Sequence, residues 1–298
     1  MDHGGSAGRH SRRLTAALSV SLTLLILEVV AGIASHSLAL LADAGHLLAD
    51  VVGMALSLGA IAIAARPRTT GRTFGLYRLE ILVASVNAVV LLGIGAVVAI
   101  EAVRRFAEPP EVAGTPVALV AAIALIANAV SLRLLRTGRK ASINVGAAYL
   151  EVFGDFLGSA AVLIAGAVIA MTGWLQADAV ASIVIAILIV PRTLSLLRDS
   201  VDVLLEATPK GVDMAQVQRH ILDAPGVTAV HDLHAWTITS GMNVVSAHVV
   251  LGPQGTPGDV LDYLGGCLSD DFDINHSTFQ LETPEHVVWE AQTAQPRH

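Results

Sequence analysis

Leu38–Ala64 reads LALLADAGHLLADVVGMALSLGAIAIA, an apolar run broken only by Asp43, His46 and Asp50. A helix needs about 20 apolar residues to cross the hydrocarbon core of a bilayer. This stretch is long enough, and its three ionisable residues fall in its first half. Five further segments of similar character lie around it: Leu14–Ala34, Leu79–Val103, Pro116–Leu135, Val145–Thr172 and Gln176–Leu197. The sixth is the weakest, because Pro191 interrupts it and Arg192 follows. The first follows Arg9, Arg12 and Arg13 as a signal peptide would, but its apolar run exceeds the ~7–15 residues of a signal core, so it reads as a retained helix.

The whole composition agrees. Hydrophobic residues make up 54% of the 298 positions and charged residues 14%, with a mean hydropathy of +0.66. Such a chain is neither disordered nor a purely soluble enzyme. A net charge of −7 argues against nucleic-acid binding. A single cysteine, Cys267, excludes a disulfide framework and a cysteine zinc finger; it reads as a small buried hydrophobe.

Charge divides the chain near residue 200. Positions 1–199 balance at +3 and positions 200–298 at −10, and the latter also carry seven of the 11 histidines. Lysine and arginine alternate between loops. The N-terminal arm has three, the second loop has Arg66, Arg68, Arg72 and Arg78, and the fourth has Arg133, Arg136, Arg139 and Lys140; the first and fifth loops have none. Positive residues stay in the cytoplasm, so both termini and the acidic tail are expected there. The expected organisation is an arm (1–13), a six-helix membrane domain (14–199), a linker (200–209), a cytoplasmic domain (210–290) and a disordered tail (291–298).

The cytoplasmic part reads as α+β. Val212–Leu222 suits a helix ended by Pro225-Gly226. Val227–Thr239 and Met242–Leu251 alternate as strands around a Ser240-Gly241 turn. Val260–Leu268 suits a helix and Phe272–Leu281 a third strand, giving αββαβ with helices on one face of an open sheet.

An ionisable residue inside a membrane segment is costly and marks function by default. Glu28, Asp43, His46, Asp50, Glu80, Glu151 and Asp155 fall in or at the start of such segments. His46 and Asp50 are four apart, as are Glu151 and Asp155, so each pair shares one helix face. Asp43 could join the first face nearer the outer end. Two helices that each offer such a pair can close four ligands around one divalent ion, zinc first. The plainer reading is hydrogen bonds or ion pairs between packed helices. Gly53, Gly154, Gly158 and Ser159 are small enough to let helices approach closely. Glu28 and Asp43 suit the lining of an aqueous vestibule.

His36–Asp50 (HSLALLADAGHLLAD), Thr73–Glu80 (TFGLYRLE), Gly154–Ser159 (GDFLGS), His231–Trp236 (HDLHAW) and His276–Glu282 (HSTFQLE) together resemble the cation diffusion facilitator family, in order and spacing, over about residues 12–285. The resemblance implies a homodimeric antiporter that exports zinc or related divalent cations from the cytoplasm in exchange for protons, in the plasma (inner) membrane. It implies a ferredoxin- or metallochaperone-like cytoplasmic domain whose regulatory zinc ligands map onto His231, His248, His276 and Glu282. His234, three from His231, is expected on the opposite face of a regular strand, and His220 and His286 as solvated or hydrogen-bonded side chains. It also implies a salt-bridge interlock around Arg78 and Glu206. Zinc members carry His-x-x-x-Asp on the fifth helix, where this chain has Glu151-Val152-Phe153-Gly154-Asp155. That carboxylate hardens the site and brings cobalt, cadmium, manganese and iron into consideration. The alternatives are a metal-gated receptor and an intramembrane metalloenzyme; no His-Glu-x-x-His occurs to support the latter.

Overall fold

The computed structural model describes residues 21–64, 69–136 and 143–293. The arm, the start of the first span, and Arg66, Arg68, Arg139 and Lys140 lie outside the described residues. The described residues up to position 204 form six helices: α1 (Ser21–Ser35), α2 (Leu38–Ala64), α3 (Leu79–Ala107), α4 (Gly114–Leu135), α5 (Ile143–Thr172) and α6 (Gln176–Leu204). Among the described residues, four helices, α3 to α6, have the length and hydropathy to cross a membrane on those criteria alone. α6 continues through Pro191. Proline removes one backbone donor, a loss that helices in a bilayer absorb when neighbouring groups satisfy the freed carbonyl. The sequence therefore misleads at this point: the helix is one piece, seven residues longer than its apolar run.

The described residues form two compact units, one holding positions up to Gly59 with Val83–Arg198, the other Ala60–Leu82 with Asp199 onward. In the first, Ala39, Leu40, Val98, Val117, Ala121, Val162, Ile169 and Ile185 form a buried core. Val86, Val89, Val97 and Ile100 of α3, and Leu119, Ile123, Ile126 and Val130 of α4, point outward, as lipid-facing side chains do. α4 and α5 touch through Gly114 and Gly166. A Cβ on Gly114 would fall 2.7 Å from the Gly166 carbonyl oxygen, and one on Gly166 would fall 2.6 Å from the Ala118 nitrogen. Of the small residues picked out in the sequence, Gly53 lies under Asn87 and Gly158 under Asp43, whereas Gly154 has no neighbour within 4 Å of where its Cβ would be. Gly154 serves no close packing; it borders a cavity.

α2 begins on an unusual cap. The Asp178 carboxylate, on the first turn of α6, accepts hydrogen bonds from Ser37 Oγ (2.5 Å), Leu38 N (2.7 Å) and Ala39 N (3.3 Å). A carboxylate suits the positive end of a helix and its unpaired N–H groups. The preceding turn places His36 at φ +57°, and Arg105 Nη1 donates to its carbonyl at 2.7 Å.

The second unit contains α7 (Met214–Leu222), β1 (Val227–Thr239), β2 (Met242–Leu251), α8 (Pro257–Phe272), β3 (His276–Glu282) and α9 (Pro284–Thr293). β1 and β2 have the limits read from the sequence, joined by Ser240 and Gly241 with Gly241 at φ +74°. β2 pairs antiparallel with β1 and parallel with β3. Val217, Ile221, Val245, Ala247, Val249, Val260, Leu264 and Leu268 make a core between the sheet and α7 and α8. The expected αββαβ order is present, with a helix added. α9 carries Ala291–Thr293, so the disorder expected from Ala291 onward does not hold for those three residues. Cys267 is half-buried on α8; burial, then Asp271 and Asp270, push its thiol up.

Candidate functional site

Two clusters of metal-binding side chains stand out among the described residues, one in each unit. His46 and Asp50 lie one turn apart on α2, and Asp155 reaches them from α5; their ligand atoms fall within 4.8 Å of one another. His46 Nε2 is 3.5 Å from Asp50 Oδ2 and 3.2 Å from Asp155 Oδ1. A tetrahedral ion with bonds of about 2.0–2.1 Å separates its ligands by about 3.3–3.4 Å, and both measured edges bracket that spacing. Asp155 Oδ1 is buried and takes no aligned hydrogen bond among the described residues. His46 Nε2 is its near partner, and a cation between the three groups would satisfy the oxygen more fully. The trio borders a cavity of about 420 Å³ that Asp43, Glu151 and Arg192 also line.

Glu151 is not in the trio. Its Oε2 lies 3.2 Å from Arg192 Nη2, and the two side chains are 40% and 49% exposed. The face it shares with Asp155 brings it to the same cavity, but an arginine from α6 takes the carboxylate first. Asp43 is buried one turn before His46 and outside the three-ligand group. Glu28 is 1% exposed on α1, and its Oε2 has no hydrogen-bond partner among the described residues. Asp43 lines the cavity, as a vestibule residue would, whereas Glu28 is not among the residues that border it. Asn128 Nδ2 donates to Ser159 Oγ at 3.2 Å, tying α4 to α5 beside Asp43.

In the second unit, Glu282 at the end of β3 receives two imidazoles. His231 Nε2 is 3.1 Å from Oε2 and His248 Nδ1 is 2.7 Å from Oε1. Gln280 Nε2 donates to Oε1 at 2.7 Å. Burial works against the Glu282 carboxylate, but the hydrogen bonds from His231 and Gln280 and the charges of His248 and His231 outweigh it and hold the carboxyl below its ordinary range. His231 pairs directly with His248 across β1 and β2, so adjacency in the ladder brings the two rings to 4.9 Å between centroids.

Two histidines sit elsewhere than the sequence suggests. His276 shares the face of Glu282 by strand parity, but it lies at the other end of β3, opposite Val244. Six residues of strand span about 20 Å, so it does not reach the cluster; its ring meets Phe74 edge-on with centroids 6.3 Å apart. His234 faces the same side as His231. Between them the register slips by one residue at Asp232, which has φ +51°, and His234 pairs with Ser246 rather than falling on the opposite face. A bulge of this kind inverts the parity that a regular strand would give.

Arg78 Nη2 donates to Glu206 Oε1 at 2.7 Å, joining the positions named for an interlock. Beside it, Glu80 accepts from Thr239 Oγ1 (2.5 Å) and Ser240 Oγ (3.2 Å) of the β1–β2 turn. Glu80 stands at the start of a span, but its partners are distant in sequence and carry no local signal. Asp178 does carry one, as an acidic residue on the first turn of an apolar helix, though its role at α2 shows only in the packing.

Comparison with known proteins gives the same outline over both units. The cation efflux transmembrane domain matches residues 14–205, and the cation efflux protein cytoplasmic domain matches residues 209–283. The metal cation efflux system protein CzcD of Cupriavidus metallidurans is 44% identical over 282 residues, covering 94% of this chain and 88% of that protein. The zinc transporter ZitB of Escherichia coli is 39% identical over 275 residues, covering 92% and 88%. The cadmium, cobalt and zinc/H(+)-K(+) antiporter of Bacillus subtilis is 34% identical over 302 residues, covering 100% and 97%. The solved metal-bound C-terminal domain of the CzcD transporter is 46% identical and covers 24% of this chain and 99% of that domain, with a TM-score of 0.23. Two family domains in order and full-length relatives at this identity make this chain a member of the cation efflux, or cation diffusion facilitator, family.

Proposed function

We propose that this protein carries divalent metal cations, zinc foremost, out of the cytoplasm in exchange for protons, with His46, Asp50 and Asp155 as the cargo ligands. The observation that carries the reading is the spacing of those three groups, which suits a tetrahedral ion at the edge of the cavity. The names of the relatives support metal efflux, zinc transport and antiport. Cobalt and cadmium come next as cargo on the same ground.

The chemistry of the ligands supplies the exchange. Metal binding requires a neutral imidazole and ionised carboxylates, so protons and metal compete for the same atoms. On an acidic face protons displace the ion; on a neutral face the ion displaces protons. Rocking of a helix bundle around a site near the midplane would present it to each face in turn. We place both termini in the cytoplasm and the chain in the plasma (inner) membrane, following the arginine distribution, and divide it into a membrane domain (14–199), a linker (200–209) and a cytoplasmic domain from residue 210. We take the working unit to be a homodimer; the acidic tails of two copies would repel until bound cations neutralise them.

Uptake into proteoliposomes tests the exchange. A gradient acidic inside should drive zinc loading, and loading should dissipate the gradient. The same experiment is run with and without potassium, because the Bacillus relative is named for both ions. Zinc loading that persists unchanged after the gradient is collapsed would refute proton exchange. Absence of any loading would favour a metal-gated receptor.

His231, His248 and Glu282 are proposed as a separate cytoplasmic metal site that senses rather than conducts. Glu282→Ala removes the group that both imidazoles approach. The expected result is at least a tenfold (about 1.4 kcal/mol) loss of zinc affinity at this site in the full chain, with transport retained in part. Equal zinc stoichiometry and affinity in the variant and parent would remove Glu282 from it. His276, lying apart in the protomer, belongs to that site only if a second copy brings it there.

A further inference from the structure

We propose that Asn87 on α3 is an entry ligand on the cargo path: a neutral carboxamide, seated against α2 at Gly53, that replaces water on the incoming divalent ion before Asp50 and His46 take it. The inference rests on the transport reading above and deepens it.

Between Val86 and Ile100, Asn87 is the one polar side chain of α3. A polar group in a membrane helix finds its place against another helix or beside a water-filled cavity, and Asn87 has both. It is half-buried and lines the cavity of about 420 Å³ that His46 and Asp50 also border. Its seat on α2 depends on a missing side chain. A Cβ on Gly53 would fall 2.7 Å from Asn87 Nδ2 and 3.3 Å from its Cγ, so any larger residue there displaces the carboxamide. Gly53 follows Asp50 by just under one helical turn, about 4.5 Å along α2.

The direction along the helices gives the seat its meaning. Asp50 lies about 21 Å along α2 from its Ala64 end, whereas Asn87 lies about 12 Å along α3 from its Leu79 end. Both ends adjoin the arginine-bearing loop assigned above to the cytoplasm. An ion entering from that side therefore passes Asn87 on its way to Asp50 and His46.

The chemistry fits a passing contact. A divalent ion arrives hydrated and must shed water before it can be held by carboxylate and imidazole. A carboxamide oxygen replaces a water with a dipole and adds no charge, so it holds the ion weakly enough to release it to the next site. An aliphatic side chain offers nothing in place of the lost water. A carboxylate would hold the ion longer and add a proton-binding group. An amide does not titrate, so this step is separate from the competition between protons and metal at His46 and Asp50.

The test is initial zinc uptake by the full chain in proteoliposomes, for Asn87→Ala, Asn87→Asp, Gly53→Ala and the double variant Gly53→Ala with Asn87→Ala. Asn87→Ala should lower kcat/KM about tenfold, keep kcat within about twofold of the parent, and leave the pH profile of kcat unchanged. Asn87→Asp restores an oxygen ligand and should keep the parental kcat/KM, but lower kcat several-fold by slowing release. Gly53→Ala should lower kcat/KM in the parental background and have almost no effect once Asn87 is alanine, because its harm comes from displacing the carboxamide. Additive losses in the double variant would overturn the proposal. So would a fall in kcat equal to the fall in kcat/KM for Asn87→Ala, which is the mark of a damaged bundle. Parent-like kinetics of Asn87→Ala beside active parental vesicles would refute the role of Asn87 alone; absence of zinc uptake by the parental chain would refute the transport reading itself.

Discussion

Asp155→Asn abolishes metal uptake, lowering it by at least about 100-fold (~2.7 kcal/mol) while the protein still folds and reaches the membrane. Asparagine keeps the shape of the side chain and a carbonyl oxygen, but it gives up the negative charge. A divalent ion then faces Asp50 as the one charged ligand left in the trio. The buried Oδ1 lies 3.2 Å from His46 Nε2, a spacing that two ligands of one ion would have. Asp155→Asn also removes one of the groups that must give up a proton for metal to bind, so both directions of the exchange fail together. The measurement is zinc uptake under an imposed pH gradient, with thermal unfolding in detergent as the check on folding. Parent-like uptake would remove Asp155 from the ligand set and with it the contribution of α5.

The helices and the hairpin were legible because their signals are local. α2 runs Leu38–Ala64, and β1 and β2 run Val227–Thr239 and Met242–Leu251, as their patterns require. The pairing of His46 with Asp50 follows from helical spacing, and Asp155 was reachable as the second carboxylate of its pair. What could not be read was anything decided by a partner far away in sequence. Helical spacing places Glu151 on the face of Asp155, but only the packing of α6 brings Arg192 to it. Strand parity places His276 on the face of Glu282, but not within reach of it. His234 escaped for a different reason: a single left-handed residue, Asp232, shifts the register and inverts the parity beyond it. Close helix approach through Gly114 and Gly166 was equally hidden, since a lone glycine in an apolar helix does not announce its partner.

Asp178→Ala unfolds or misplaces the start of α2 and stops transport without touching a cargo ligand. The carboxylate is 2% exposed and is the acceptor for Ser37 Oγ and for the backbone N–H groups of Leu38 and Ala39. Ser37 Oγ in turn accepts from Leu40 N at 3.2 Å, so one side chain organises the first turn of the helix. Alanine leaves those buried donors without an acceptor. Each unsatisfied buried group costs about 1–3 kcal/mol, and the combined loss is on the order of 3–5 kcal/mol. The charge at the positive end of the helix is lost as well. His46 lies eight residues beyond Leu38, about 12 Å along the axis, so a first turn that frays or shifts moves the imidazole relative to Asp155 on α5. A displacement of 1 Å is enough to spoil edges of 3.2 and 3.5 Å. Asp178→Asn keeps one acceptor oxygen in the same place and should fall between parent and alanine in both stability and uptake. Ser37→Ala removes one donor to Asp178 and the acceptor for Leu40 N, and should cost about 1–2 kcal/mol with transport largely kept. Thermal unfolding in detergent, read beside zinc uptake for the three variants, orders them as parent, Ser37→Ala, Asp178→Asn, Asp178→Ala. If Asp178→Ala matches the parent in both measurements, α2 is anchored by other contacts, and the position of His46 does not depend on the cap.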